Sequence, residues 1–353
     1  MNRREIGARS AWVAVALLAI LFGAGAARLL IGTSMYGLPG GAALWDLLAL
    51  RGDRLVTAAV VGAALAVAGV ALQALLRNPL AEPFILGLST GAAAGMVGQL
   101  LLAALLGVTL GFGFGGAAVG AGLSMLVVYL ASRRHGMLDP LGLLLTGVVL
   151  STINGALIML AVHFRPDLLR VELSQWMMGY LGDDGGAAVS WAFRMMSSEA
   201  DGGVGFPFLL LVVVVVVLVG FAVLWRRAGA MDVATLSRGE AEAMGVNLRR
   251  LRVELFGVSS VLAAGAVVLA GPIAFVGLVC PHLARLMLGP SHRGLLWSSA
   301  VLGAALVVLA DTTGAALARS LGVGVVPLGV FTAIVGGVAF LWMLRPHLGR
   351  GVE

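Results

Sequence analysis

Apolar stretches about as long as a bilayer is thick recur from one end of this sequence to the other, and that recurrence limits the fold more than anything else in it. A helix needs ~20 apolar residues to cross ~30 Å of hydrocarbon. Such stretches lie at roughly 11–31, 54–76, 84–106, 112–131, 141–163, 207–225, 253–270, 274–288, 295–317 and 327–344. They are almost continuously apolar, whereas the strands of a membrane barrel would alternate at a period of two, so they read as helices. The β-branched run Val212–Val217 would suggest a strand in water, but in a bilayer with leucine-rich flanks it reads as helix. With 60% hydrophobic and 11% charged residues, a soluble domain of 353 residues could not cover its own surface. The expectation is an all-α integral membrane protein, a single domain over 1–353 with about ten transmembrane helices.

The basic residues orient the chain. There are 23 of them and no lysine. The arginines sit at the ends of apolar runs rather than along one polar face, which argues for anchoring at a lipid bilayer and against nucleic acid. With the N-terminus inside, Arg28, Arg51, Arg54, Arg165, Arg170, Arg194 and Arg319 fall outside, 7 against 16 inside. Ten crossings then put both termini in the cytoplasm. Arg3, Arg4 and Arg9 before the first apolar run could open a signal peptide, but the run is longer than usual for one, so a retained helix is expected. The polar connection at 226–252 is cytoplasmic on this scheme, and the long one at 164–206 is external.

Several chemistries are excluded. Without lysine there is neither a P-loop nor Schiff-base chemistry on this chain. The one cysteine, Cys280, lies in an apolar run and cannot form an intrachain disulfide. There is no HExxH, GxSxG or CxxC, and no cluster of His, Asp and Glu at ligand spacing, so no metal and no cofactor are expected on this chain.

Four local features carry information. In QALLRNPLAEPFILGLSTG (Gln73–Gly91), Pro79 and Pro83 disfavour helix at the residues before them. A helix should therefore end near Arg77, turn through Asn78 and Pro79, and give way to another near Pro83. In GPIAFVGLVCPHLAR, Gly271-Pro272 reads as an external turn, and Pro281 as a kink within a short helix. There His282 and Arg285 share a face and read either as packing and capping or as a ligand or proton relay. Asp311, alone in an apolar run, is either functional or satisfied locally by Thr312, Thr313 and backbone near a helix break. Finally, Ser237 with Glu240 three residues later makes a capping-box pattern, and Gly245 suits the C′ position of the short helix that would follow.

The blocks RNPLAEPFILGLSTGA, GPIAFVGLVCPHLAR, GPSHRGLL, GAALVVLAD and PLGVFTAIVGGVAFL, in this order over about 45–345, strongly resemble the FecCD-type permeases of ABC importers for iron–siderophore complexes, haem and cobalamin. The resemblance implies the type II ABC importer permease architecture in the inner membrane of a bacterium. It implies a dimer with a second copy or a paralogous permease, two cytoplasmic ABC ATPase subunits that bind the ATP and Mg, and an external substrate-binding protein. Carried over residue by residue, it makes Arg77, Asn78, Pro79 and Pro83 a gate-side loop. Ser237, Arg238, Glu240, Ala241 and Gly245 become a coupling helix for the ATPase, and Gln175–Gly179 the block after the path-lining fifth helix. Arg51, Arg54 and Arg319 become docking residues for the binding protein. The sequence departs from the family pattern at Gly52-Asp53, where a proline is usual second, at Ala316, where arginine is common, and at Val338, where the late proline is missing.

The function expected is transport of a metal chelate by alternating access driven by separate ATPase subunits, with ferric siderophore or haem ahead of cobalamin. From the residues alone, two other classes stay open: an ion-coupled secondary transporter, which would need more intramembrane acids than Asp311, and an intramembrane enzyme, which would need polar groups clustered at membrane depth.

Overall fold

The structure is a computed structural model, and it describes residues 3–31, 43–107, 113–134, 136–166, 176–179, 181, 205–322 and 326–348. Its helices are α1 (Arg3–Leu30), α2 (Ala43–Leu76), α3 (Leu88–Leu106), α4 (Gly113–Ala131), α5 (Pro140–Phe164), α6 (Gly205–Val233), α7 (Arg238–Ala243), α8 (Leu248–Ala270), α9 (Val276–Leu288), α10 (His292–Leu321) and α11 (Leu328–Leu348). Among the described residues, 7 helices are long and apolar enough to cross a membrane, and the apolar parts of α4, α9 and α11 are shorter. The chain is therefore a multi-pass membrane protein. The valine run lies inside α6, as expected. Two differences from the sequence reading stand out. A two-stranded antiparallel hairpin, β1 (Arg133–Arg134) and β2 (Met137–Leu138), joins α4 to α5. And α2 starts about a dozen residues before the apolar run does, which takes Arg51 and Arg54 into the helix.

That extended helix is the axis of the molecule. Its span is 72% buried, against 17% for the peripheral α6. α8, α9 and α10 pack around it. Residues such as Ala58, Val61 and Leu65 feed one apolar cluster, and Val67, Ala71 and Leu75 feed the other. Lipid tails are as apolar as leucine, so these helices hold together by close packing rather than by a hydrophobic drive. Glycine makes the approach possible. A Cβ on Gly62 would overlap the backbone of Gly303 on α10, and one on Gly69 would overlap the Gly277 carbonyl on α9. α3 and α4 meet through two facing small-xxx-small pairs, Gly91 with Gly95 and Gly116 with Gly120.

Candidate gate junction and coupling helix

The connection after α2 is built as its prolines suggest. Arg77 closes the helix in a left-handed conformation, φ 49°. Asn78 Oδ1 accepts from Leu80 N at 2.9 Å, an Asx turn around Pro79. Pro83 opens a single 3-10 turn, Pro83–Leu86, and Gly87 at φ 76° passes the chain into α3. The sequence reading passed over Glu82, the acid between the two prolines. It is buried, and its carboxylate accepts the backbone N–H of Phe275, 193 residues away. Phe275 is the N-cap of α9, has φ 69°, and its own side chain makes no capping bond. Glu82 thus satisfies one of the donors that a helix start leaves open and sets negative charge at the positive end of α9. A bulky residue at positive φ is a strained conformation, held here by its surroundings.

Burial pushes the Glu82 carboxyl up to about 7, against the opposing pull of the Phe275 N–H. The folded protein therefore binds this proton more tightly than the unfolded chain does. This contribution to stability is complete below pH ~4.5 and is lost as pH rises through about 7. Glu82→Gln keeps an acceptor for Phe275 and should remove that part of the pH dependence of Tm. Glu82→Ala leaves the buried N–H without a partner and should lower stability by about 1–3 kcal/mol, most at acid pH, where the Glu82 contribution is complete. Thermal melts from pH 4 to 8 in detergent check both; a Glu82→Ala melt that matches wild type would sink the capping role.

Within α9, Pro281 has no N–H to give the carbonyl of Gly277, four residues earlier. Gln73 on α2 takes that place, with Nε2 donating to Gly277 O at 3.4 Å and Oε1 accepting from Arg285 Nη2 at 3.3 Å. Gly69, one turn before Gln73, lets the two backbones come that close. Arg285 therefore ties α9 to α2 through Gln73. His282 is half-buried beside Pro281. Among the described residues no group of three or more His, Cys, Asp or Glu could hold a metal ion.

At the far end of α2 lies a polar cluster that the sequence could not assemble. Asp311 is not satisfied locally, because α10 runs unbroken through it and Thr312 and Thr313 each donate one turn back, to Val308 O and Leu309 O. Its partners are Arg28 of α1, with Nε 2.5 Å from Oδ2, and Arg54 of α2, with Nη2 2.6 Å from Oδ1. Arg28 also donates to Ile31 O at 2.8 Å, and Arg51 donates to Leu29 O at 2.5 Å. Arg51 and Arg54 are only 2% and 7% exposed in this subunit: the longer α2 carries both into the packed helix ends. Arg319 lies two turns beyond Asp311 on α10 and is half-exposed.

At the other end, α7 has the caps its sequence foretold. Ser237 Oγ accepts from Glu240 N, and Glu240 Oε2 accepts from Ser237 N at 3.0 Å, which holds the Glu240 carboxylate below its usual range. Gly245, at φ 82°, closes a Schellman motif, its N–H donating to Glu242 O and that of Val246 to Ala241 O. Arg238 pairs with Glu242 along the exposed side at 2.9 Å. Ala241 is fully buried, so it seats the helix on its own subunit. The apolar groups offered outward are Met244, 62% exposed, and Leu236, 42% exposed. The segment is anchored from behind by Asp232, whose Oδ1 accepts from His292 N at 2.9 Å and lies 2.6 Å from His292 Nδ1. Asp232 thereby caps α10 in place of Ser291, whose side chain makes no capping bond.

The chain is thus a polytopic bundle with one long buried axis, a strained helix start at α9 held by Glu82, and a short capped helix between α6 and α8. The FecCD transport family model matches residues 11–200 and 202–346, nearly the whole chain. The chain belongs to the FecCD transport family. Among its relatives, a vitamin B12 import system permease from Vibrio cholerae is 40% identical over 86% of this chain and 83% of its own length. A hemin transport system permease from Yersinia pestis is 34% identical over 86% of this chain and 84% of its own length. An inward-facing metal-chelate type ABC transporter shares the fold with a TM-score of 0.74 at 26% identity, covering 95% of this chain and 99% of that one. This FecCD protein is accordingly the membrane-spanning permease subunit of an ABC importer. It is not an enzyme, and ATP hydrolysis belongs to separate subunits. The ion-coupled transporter and the intramembrane enzyme are set aside.

Of the residues singled out in the sequence, the structure brings Arg54 to Asp311 and keeps Ser237–Gly245 in one short helix. Arg170, Gln175 and Arg194 lie outside the described residues. Sequence reasoning missed Arg28, Gln73, Glu82 and Asp232. Glu82 left a readable signal, an acid enclosed by prolines at the mouth of an apolar run; the other three left none.

Proposed function

We propose that this permease imports a metal chelate of the corrinoid type, with haem and ferric siderophores as the neighbouring chemistries. The observation that carries the choice is the 40% identity with the Vibrio cholerae vitamin B12 permease, against 34% for the hemin permease. The sequence ranking placed cobalamin behind the other two. The subunit works as one half of a dimer, with an ATPase under each α7 and a binding protein on the opposite face, in a cytoplasmic membrane with both termini inside. The arginine asymmetry supports that orientation. Binding-protein docking falls to half-exposed Arg319 and its surroundings, while Arg51 and Arg54, buried behind it, add to the positive potential there.

The test is uptake into proteoliposomes that hold the permease with its ATPase, supplied with the cognate binding protein and, in turn, labelled cobalamin, haem and a ferric siderophore. Saturable ATP-dependent uptake of cobalamin alone is expected. Arg319→Glu should raise the half-saturating concentration of binding protein several-fold and leave the maximal rate unchanged. Uptake of haem or siderophore in preference to cobalamin would overturn the substrate assignment, and an unchanged half-saturation for Arg319→Glu would overturn the docking.

A further inference from the structure

α6 and α8 run antiparallel in a register that three contacts fix. A Cβ on Gly265 would meet Val213, one on Gly220 would meet Leu262, and Arg227 Nε lies 2.7 Å from Glu254 Oε2. Between the first and last of these contacts the two helices leave a groove of about 300 Å³. Its walls are apolar, with Val215, Val219 and Val223 on α6 and Gly257 and Val261 on α8. Val215, Val219 and Val261 are half exposed or more, and nothing lies within 4 Å of where a Gly257 Cβ would be. From Val215 to Val223 the groove is ~12 Å long, close to the ~15 Å depth of one leaflet's hydrocarbon.

One end of the groove is closed by charge. Arg227 and Arg250 share a single carboxylate, Glu254, with contacts of 2.7 and 2.9 Å. Arg226 is exposed at the same end of α6, so this end of the groove carries three arginines and one acid. Trp225 is exposed at the same level and stacks on Phe221, with centroids 5.6 Å apart. An apolar slot that ends in excess positive charge and an interfacial tryptophan matches a lipid, with its chain at membrane depth and its headgroup at the surface.

We propose that the α6–α8 groove binds one anionic phospholipid, its acyl chain lying along Val215–Val223 and its phosphate on Arg226 and Arg250. Selectivity comes from the headgroup, because a chain exchanging out of bulk lipid gains little from apolar burial. Each arginine near the surface contributes a factor of about five, so two uncompensated charges give an enrichment on the order of twentyfold over zwitterionic lipid. The site is independent of the transported substrate.

The experiment is native mass spectrometry of the full chain released from nanodiscs of equal phosphatidylglycerol and phosphatidylcholine, with the retained lipid identified and counted. Wild type should retain one phosphatidylglycerol. Gly257→Leu adds a side chain to open space, favours helix, and should abolish retention of both lipids. Val219→Phe fills the groove from the other wall and should do the same, which keeps the test decisive if either variant folds poorly. Arg226→Gln/Arg250→Gln leaves the Arg227–Glu254 pair in place and should retain lipid without preference between the two. Equal retention of both lipids by wild type would overturn the proposal. So would unchanged retention in both filled variants, or conversion of a dimer to monomer by Gly257→Leu with lipid unaffected, which would assign the groove to a second copy.

Discussion

Asp311→Ala should leave a protein that does not survive extraction from the membrane as a folded species. The substitution strands two guanidiniums, Arg28 and Arg54, whose side chains are 1% and 6% exposed and which now share one acid. Breaking a buried ion pair by removing one partner costs about 3–5 kcal/mol, because the remaining charge keeps its desolvation penalty and loses its compensation. That is a large part of the margin by which a protein is stable. The same principle predicts a rescue. Replacing the whole cluster, as Arg28→Leu/Arg54→Met/Asp311→Leu, removes every stranded charge and should recover most of the lost stability. Fluorescence-detected gel filtration and thermal melts read both results. An Asp311→Ala melt within about 2 °C of wild type, or a triple variant worse than the single one, would show that the cluster does not hold α1, α2 and α10 together.

The second large effect is expected at α7. Leu236→Asp/Met244→Asp places charge on the two apolar groups that this helix presents outward. If they enter a cleft of the ATPase, the change buries unpaired carboxylates there, and ATP-driven uptake should fall by at least tenfold. Both positions are exposed in the subunit, so its melt should be unchanged, and ATPase activity should no longer respond to the binding protein. Ala241→Trp would be a poor probe, since Ala241 is fully buried and a tryptophan there unseats the helix. An Ala243→Cys thiol, in a Cys280→Ser background, reports which side α7 occupies. It should resist an impermeant reagent in intact spheroplasts and react after lysis. Normal uptake by the double aspartate variant would reduce α7 to a linker, and labelling of intact spheroplasts would reverse the orientation.

What could be read from the sequence depended on how local the physics was. The ends of α2 and α7 were legible because Pro79, Pro83, Ser237, Glu240 and Gly245 act on backbone within a few residues of themselves. The start of α2 was not. Arg51 and Arg54 interrupt the apolar run, and only their capture by Leu29 O and Asp311 explains how charged residues enter a packed helix. The hairpin β1–β2 is too short to leave a pattern, and the Arg252 side chain that donates to Leu138 O at 3.0 Å comes from far along the chain.

The sequence alone is enough for the bilayer setting, the approximate crossings and, through its blocks of resemblance, the family. Hydrocarbon thickness, arginine placement and proline geometry are constraints that each segment meets alone. Which polar groups meet depends on the packing of distant segments: Asp311 with Arg28 and Arg54, Glu82 with Phe275, Gln73 with the carbonyl that Pro281 frees, and Asp232 with His292. Partners up to 283 residues apart leave no periodicity to read. They are set by how closely glycine lets neighbouring helices approach, which brings charged and amide side chains from distant segments within reach of one another.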